Sequence, residues 1–367
     1  MKNFIFNIPT KIIFGRKKIQ ELNPEIGRQY KNILIVTDRT IYEKTDIIQK
    51  AQTILKDKNV FVFKDVQENP SFETTDRGGV FAKDNQIELV IGIGGGSSMD
   101  VAKGIAILSN NPNSIKDYIE GKEFENKALP IICVPTSSGT GSEATPFAVF
   151  TDRFAGTKAA ISNHQIFPFL SILDPELTYS MPASVVINTG LDALTHSIEA
   201  YLSTESFDLN DQLALRSIEL VIDNLEGAAS KNTKSMDKMA YASLLGGIAI
   251  THASTILPHI MGYPLTVYHN IPHGRANAII MPAFLDFMKE YAYNKDKVEL
   301  VLEMFKVKGG INNFINNLGV STKLSDYGVN KNEFDDYTSK VIVKGDVKIT
   351  PAEITEEVIK NIYLYSY

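Results

Sequence analysis

Leu89-Val90-Ile91-Gly92-Ile93 is apolar or glycine at every position and runs straight into Gly94-Gly95-Gly96-Ser97-Ser98-Met99-Asp100. A strand that is apolar on both faces has to be covered on both faces, as parallel sheets between helix layers are. Glycines at its end let the backbone turn tightly and approach a ligand closely. Ser98 to Leu108 then reads as a helix, and the free N–H groups at a helix start attract phosphate oxygens. Strand, glycine turn and helix together point to an α/β domain holding an anionic ligand. The competing reading is a tight strand–helix turn with no ligand.

Three further short runs have the same character: Asn32 to Val36, Val60 to Phe63 and Ile131 to Val134. Helical stretches separate them, and that rhythm predicts a mostly parallel sheet. After about Met181 the rhythm changes. Ala183 to Ser203, Leu209 to Asn224, Met236 to Ile250, Ala276 to Tyr291 and Pro351 to Ile362 have helical periodicity, and strand signals nearly vanish. With 367 residues the chain exceeds the usual size of one core. The expected division is an α/β domain over residues 1–180 and a helical domain over 181–367. Lys231 to Lys234 and Gly309-Gly310 read as helix-connecting loops.

The formal net charge of -6 supplies no electrostatic reason to bind nucleic acid or an anionic membrane. No apolar stretch is long enough to cross a bilayer, and the N-terminus is not followed by a signal-type apolar core. The single cysteine, Cys133, lies in a buried-strand pattern. It allows no intrachain disulfide and no zinc site with several thiolates, which fits a reducing cytoplasm.

Asp38 ends an earlier strand. A carboxylate there could bond a ribose 2′-hydroxyl and repel a 2′-phosphate, favouring NAD over NADP. It precedes the glycine loop, so the chain order is not that of the usual dinucleotide fingerprint, and a plain strand-end aspartate is the alternative. Thr136-Ser137-Ser138-Gly139-Thr140-Gly141-Ser142-Glu143 follows the fourth strand. It is suited to a second phosphate or ribose contact, or to starting a helix.

In the second half, Asp192 and His196 are four apart and share one helix face. Four of the six histidines, His252, His259, His269 and His273, fall within 22 positions. A Gly- and Pro-bearing bend is expected between His259 and His273. One carboxylate and three imidazoles would leave a divalent ion a charge near +1, which suits Fe(II), Zn, Mn, Co or Ni. A polar helix interface is the bland alternative. Glu199 lies one further turn along the face of Asp192, where a solvated glutamate is expected. A group supporting a metal ligand from behind is the other reading.

At this point the chain resembles the iron-containing (group III, iron-activated) alcohol dehydrogenase family along essentially its whole length. The resemblance rests on Pro9-Thr10-Lys11-Ile12-Ile13-Phe14-Gly15, Glu68-Asn69-Pro70, Gly94 to Asp100, Pro135 to Glu143, Gly190 to His196 and Pro272 to Ile279. It implies a dehydroquinate-synthase-like fold: an N-terminal dinucleotide-binding α/β domain and a C-terminal helical metal-binding domain, with the site in the cleft between. It implies Asp192, His196, His259 and His273 as metal ligands, Fe(II) as the metal and Zn as the alternative. Gly95, Gly96 and Ser97 would hold the pyrophosphate, with Asp100 in the same motif, and Asp38 the adenosine ribose. Asn69, Thr136, Ser137, Thr140, Lys158 and Thr178 would be further contacts to NAD, or to NADP as the alternative.

Two positions depart from many relatives. Tyr263, in Gly262-Tyr263-Pro264-Leu265, stands where they carry a histidine near the nicotinamide, and His269 is a candidate replacement for proton handling. Phe147 stands where some have a small or polar residue. With Ile250 it suggests an apolar pocket for a short substrate. The expected function is reversible hydride transfer between NAD(P)(H) and a small primary alcohol or aldehyde, in a cytoplasmic homodimer or higher homo-oligomer. A lyase of dehydroquinate-synthase type using NAD transiently and a non-catalytic metal or nucleotide sensor are the alternatives. The lyase would need several basic residues at its site, where Arg275 and Lys158 are the obvious ones.

Overall fold

The computed structural model describes residues 2–152 and 155–367. The apolar runs of the first half become β1 (Lys11–Phe14), β2 (Asn32–Asp38), β3 (Asn59–Val66), β4 (Leu89–Gly94), β5 (Ile131–Pro135), β6 (Phe147–Asp152), β7 (Thr157–Ser162) and β8 (Leu170–Leu173). Six of them pair in one sheet of order β1-β8-β5-β4-β2-β3, parallel throughout, while β6 and β7 form an antiparallel hairpin. Between them run α1 (Leu22–Ile26), α2 (Arg39–Lys44), α3 (Ile47–Ile54), α4 (Phe72–Asp84), α5 (Gly96–Asn110) and α6 (Ile115–Ile119).

The two-residue period of a strand sends alternate side chains to opposite faces. Leu34, Val36, Val90, Ile131 and Cys133 pack with α4 and α5 on one side. Ile33, Ile35, Leu89, Ile91, Ile132 and Val134 pack with α1 and α3 on the other. Every residue of β4 and β5 is buried. At about 1.5–3 kcal/mol per buried aliphatic side chain, covering both faces is what fixes this register. Burial pushes the Cys133 thiol up to about 12, so it is inert at neutral pH.

The sheet order resolves the unusual chain order of the nucleotide motif. From β2 the chain passes to β3 on one side, then returns to β4 on the other and continues outward to β5. The direction of winding reverses between β2 and β4, and ligands of open α/β sheets bind at the carboxyl ends flanking such a switch. Val36 pairs with Gly92, so Asp38 and the glycine loop leave the sheet side by side.

The described residues divide into two compact units, Asn7–Met181 and Pro182–Tyr367, the latter taking residues 2–6 with it. The expected α/β domain over residues 1–180 included Phe4 and Phe6. Aromatic stacking decides otherwise: Phe4 lies on Phe207 and Phe6 on His252, each with ring centroids 4.3 Å apart. The second unit is built from α7 (Ala183–Leu202), α8 (Asp208–Ala229), α9 (Thr233–Ala253), α10 (Leu257–His269), α11 (His273–Tyr291), α12 (Lys295–Met304), α13 (Ile311–Asn317), α14 (Phe334–Ile342) and α15 (Glu356–Tyr365). Among the described residues no single helix is long and apolar enough to cross a membrane.

Two local expectations are corrected. No bend falls at Gly262 or Pro264, because α10 runs through both. An interior proline costs a helix about 3 kcal/mol, and the burial of Ile260, Met261 and Leu265 offsets it. The turn comes later, at Asn270, which takes a left-handed φ of 53°. The last helix starts at Glu356 rather than Pro351, where the Thr355 side chain caps it by accepting from the Val358 N–H.

Candidate metal centre and nucleotide loop

Helix α7 is buried from Gly190 to Leu202, so its polar residues there need partners. Asp192 and His196 project from one face, and α10 brings His259 to them. One donor atom from each of Asp192, His196 and His259 lies within 4.8 Å of the others. His259 Nε2 is 3.8 Å from Asp192 Oδ1, and the His196 and His259 rings stack with centroids 4.6 Å apart. Asp192 Oδ1 is buried with no hydrogen bond among the described residues. A buried carboxylate oxygen facing two imidazoles is a poor arrangement for a bare protein interior and a good one for a divalent cation. The donor set therefore fits the metal expected from sequence.

Glu199 is not the solvated glutamate expected. It is fully buried. Its Oε2 accepts the backbone N–H groups of Ile256 and His259, at 2.8 and 3.3 Å, at the start of α10, where a carboxylate suits the helix dipole. Its Oε1 accepts from His259 Nδ1 at 2.5 Å. That bond assigns the ring proton to Nδ1 and leaves Nε2 to present its lone pair toward Asp192. Burial pushes the Glu199 carboxyl above its ordinary range, and the neighbouring His259 opposes the shift. The i, i+7 spacing was the signal for this role, but spacing alone does not say whether a helix face is buried.

His273 begins α11. Its ring centroid lies 5.1 Å from that of His259, outside the group of three converging donors. Gly274 is what lets this end of α11 come close: a Cβ there would sit 2.2 Å from the Asn188 carbonyl and 2.7 Å from the Asp192 backbone nitrogen. The Tyr263 ring stacks beside His273, centroids 5.7 Å apart, and burial raises its phenol above the ordinary value. His269 turns elsewhere. Its Nε2 is 2.8 Å from the Tyr337 hydroxyl and 3.3 Å from the Glu333 carboxylate.

In the α/β unit, Gly95 caps α5 and Gly96 and Ser97 open it. A Cβ on Gly96 would strike Thr140 Cγ2 at 2.6 Å, and one on Gly95 would lie 3.3 Å from Ser137 Oγ. The Thr136 N–H donates to the Gly94 carbonyl at 2.9 Å. The glycine loop and the hydroxyl-rich loop are thus packed on each other. Asp38 accepts from the Ile41 N–H through Oδ1, and its Oδ2 lies 3.6 Å from where a Gly94 Cβ would be. Asn69 follows β3 in a left-handed conformation.

Asp100 accepts from Ser142 Oγ at 2.7 Å and the Val149 N–H at 3.1 Å. The Thr178 hydroxyl donates to the Pro175 carbonyl. Lys158 is buried on β7. Phe147 opens β6 and Ile250 lies on α9, in different units. Lys103, on α5, is fully buried, which nothing in its sequence position signals.

Residues 9–175 match the family model described as iron-containing alcohol dehydrogenase, and residues 186–367 match its C-terminal counterpart, described as Fe-containing alcohol dehydrogenase family, C-terminal. The chain is 39% identical over 282 residues to alcohol dehydrogenase 4 of Schizosaccharomyces pombe, an alignment covering 75% of this chain and 66% of the yeast one. An iron-containing alcohol dehydrogenase from Thermotoga maritima superposes with a TM-score of 0.91 at 33% identity, covering 99% of each chain. A sulfoacetaldehyde reductase from Bifidobacterium kashiwanohense, crystallised with NAD+, has a TM-score of 0.91 at 30% identity and covers 100% of this chain and 99% of that one. Neither the lyase nor the sensor alternative is favoured by these likenesses.

Proposed function

The chain belongs to the iron-containing alcohol dehydrogenase family, and from that premise we propose reversible hydride transfer between NAD(H) and a small primary alcohol or its aldehyde. The protein is a metal-dependent alcohol dehydrogenase. The observation that carries this reading is the convergence of Asp192, His196 and His259 on one point, in a chain that also has a phosphate-type loop at a sheet switch point. A divalent ion, Fe(II) with Zn(II) as the alternative, would supply Lewis acidity to the substrate oxygen and favour alkoxide near neutral pH.

Asp192, His196 and His259 would hold that ion, and His273, its ring 5.1 Å from that of His259, would be the fourth ligand. Glu199 keeps His259 in the tautomer that can bind. The N–H groups at Gly95, Gly96 and Ser97 take the pyrophosphate. Asp38 takes the adenosine ribose and disfavours a 2′-phosphate. Asn69, Thr136, Ser137, Thr140, Lys158 and Thr178 supply further cofactor contacts, and Asp100 acts on the cofactor only by holding the loop. Phe147 and Ile250 supply apolar wall for a short substrate. A cytoplasmic location and a homodimer or higher homo-oligomer complete the proposal, with the lone buried Cys133 in keeping with a reducing compartment.

The test is metal reconstitution. Chelator-stripped protein receives Fe(II) anaerobically or Zn(II), and NADH and NADPH oxidation is followed with a panel of short aldehydes. Metal-dependent oxidation is expected, faster with NADH, and Asp38→Gly should raise the NADPH share. No oxidation with either metal overturns the dehydrogenase reading, and an unchanged cofactor ratio in Asp38→Gly overturns the ribose assignment.

Proton handling falls to Tyr263, supported by its stacking on His273 and by the turn of His269 toward Tyr337. Tyr263→Phe keeps the ring and is expected to lower turnover by about tenfold or more at unchanged metal content. Full turnover in Tyr263→Phe with a loss in His269→Ala moves the role to His269.

A further inference from the structure

We propose that Lys103 is a positioning residue for cofactor binding: its buried ammonium sets the shape of the loop over residues 136–147. This rests on reading that loop as a cofactor contact. Lys103 lies two turns along α5 from the glycine loop. Its Nζ donates to the Ser142 carbonyl at 2.7 Å and hydroxyl at 2.8 Å, the Thr145 carbonyl at 3.0 Å and hydroxyl at 3.2 Å, and the Phe147 carbonyl at 2.7 Å. Three N–H bonds are shared among five oxygens of one short stretch.

Burying an ammonium costs several kcal/mol, and an apolar side chain of similar size would usually fill such a place at less cost. What the cation adds is direction. Between the end of β5 at Pro135 and the start of β6 at Phe147, the only regular structure is a 3-10 turn over Ser142–Ala144. No strand or helix ladder there decides where the carbonyls point. Lys103 gathers three of them. Asp100, one turn earlier on the same helix, takes Ser142 Oγ and the Val149 N–H. Side chains at i and i+3 thus grip the same segment from one helix face.

The consequence is carried to both ends of the loop. At its start, Ser137 and Thr140 pack against Gly95 and Gly96, so their placement sets the room left for a pyrophosphate. At its end, Phe147 is held through its own carbonyl. The helix that offers N–H groups to phosphate therefore also carries the residue that shapes the opposite wall.

The test measures NADH affinity by nicotinamide fluorescence on chelator-stripped protein, and KM and kcat on the reconstituted enzyme. In Lys103→Met the dissociation constant and KM for NADH are expected to rise together by about tenfold or more, with kcat at saturating cofactor within about threefold and metal content unchanged. A purely structural lysine would lower the melting temperature without this split. The double variant Ser142→Ala, Thr145→Val keeps the cation and removes two of its acceptors. It should weaken NADH binding by about threefold, and it carries the test if Lys103→Met does not fold. Wild-type affinity for NADH in a folded Lys103→Met protein, or in the double variant, overturns the proposal. Failure of the wild-type protein itself to bind NADH overturns the cofactor reading and this proposal with it.

Discussion

Glu199→Ala is expected to weaken metal binding by about 10–100-fold, the usual cost of removing a group that orients a ligand. The argument is geometric. One carboxylate serves three donors: the His259 Nδ1–H and the backbone N–H groups of Ile256 and His259. Without it the His259 ring loses the bond that fixes its tautomer, and Nε2 no longer faces Asp192 by construction. Two buried backbone donors at the start of α10 also lose their acceptor, at about 1–3 kcal/mol each, so the melting temperature of the metal-free protein should fall too. Glu199→Gln keeps the shape and one acceptor oxygen and is expected to fall between alanine and wild type. Metal titration of stripped protein with a colorimetric competitor, alongside thermal melts, reads both effects. Wild-type metal affinity in Glu199→Ala would remove Glu199 from the centre.

The second large effect is on stability against pH. Glu143, the last residue of the hydroxyl-rich loop, is buried, and burial raises its carboxyl from 4.5 to about 7. The folded state therefore holds the proton more tightly than the unfolded chain does. Its stabilising contribution is fully present below the unfolded value of 4.5. It is lost as pH rises through about 7, where the folded protein must carry a buried charge or release the group. A difference of that size is worth roughly 3 kcal/mol. Glu143→Gln presents a neutral amide at every pH and should flatten this part of the profile. Urea unfolding of the stripped protein from pH 4.5 to 8, wild type against Glu143→Gln, makes the comparison. Parallel profiles would mean that Glu143 does not keep its proton in the fold.

The pairing of Asp192 with His196 is legible in the sequence, and the features that are not legible share a cause. The i, i+4 spacing of Asp192 and His196 put both on one helix face, because 3.6 residues per turn is a local property. Of the four clustered histidines only His259 joins them, while His252 stacks on Phe6 and His269 turns to Tyr337. The partners of Lys103, Asp100 and Glu199 are not legible, because a charged residue on a helix looks the same in sequence whether its face meets water or protein. His269 looked as able as Tyr263 to stand near the metal ligands. Which of them turns inward depends on α14, sixty-odd positions further along. The proline in α10 suggested a break, and only the buried face of that helix overrules it.

What the sequence by itself determined was what short-range periodicity and chain chemistry can carry. That covers a parallel sheet apolar on both sides, a glycine turn at the end of β4, a helical second half, and the carboxylate and imidazole types that meet at Asp192, His196 and His259. What only the tertiary structure decided was partnership across distance. Asp38 stands beside the glycine loop because β2 and β4 are neighbours in the sheet. Glu199 supports His259 across sixty positions, and one buried lysine gathers the carbonyls of a loop forty positions away. A buried polar group is stable only with its partner in place, and in this chain those partners are brought together by long-range packing rather than by spacing along the sequence.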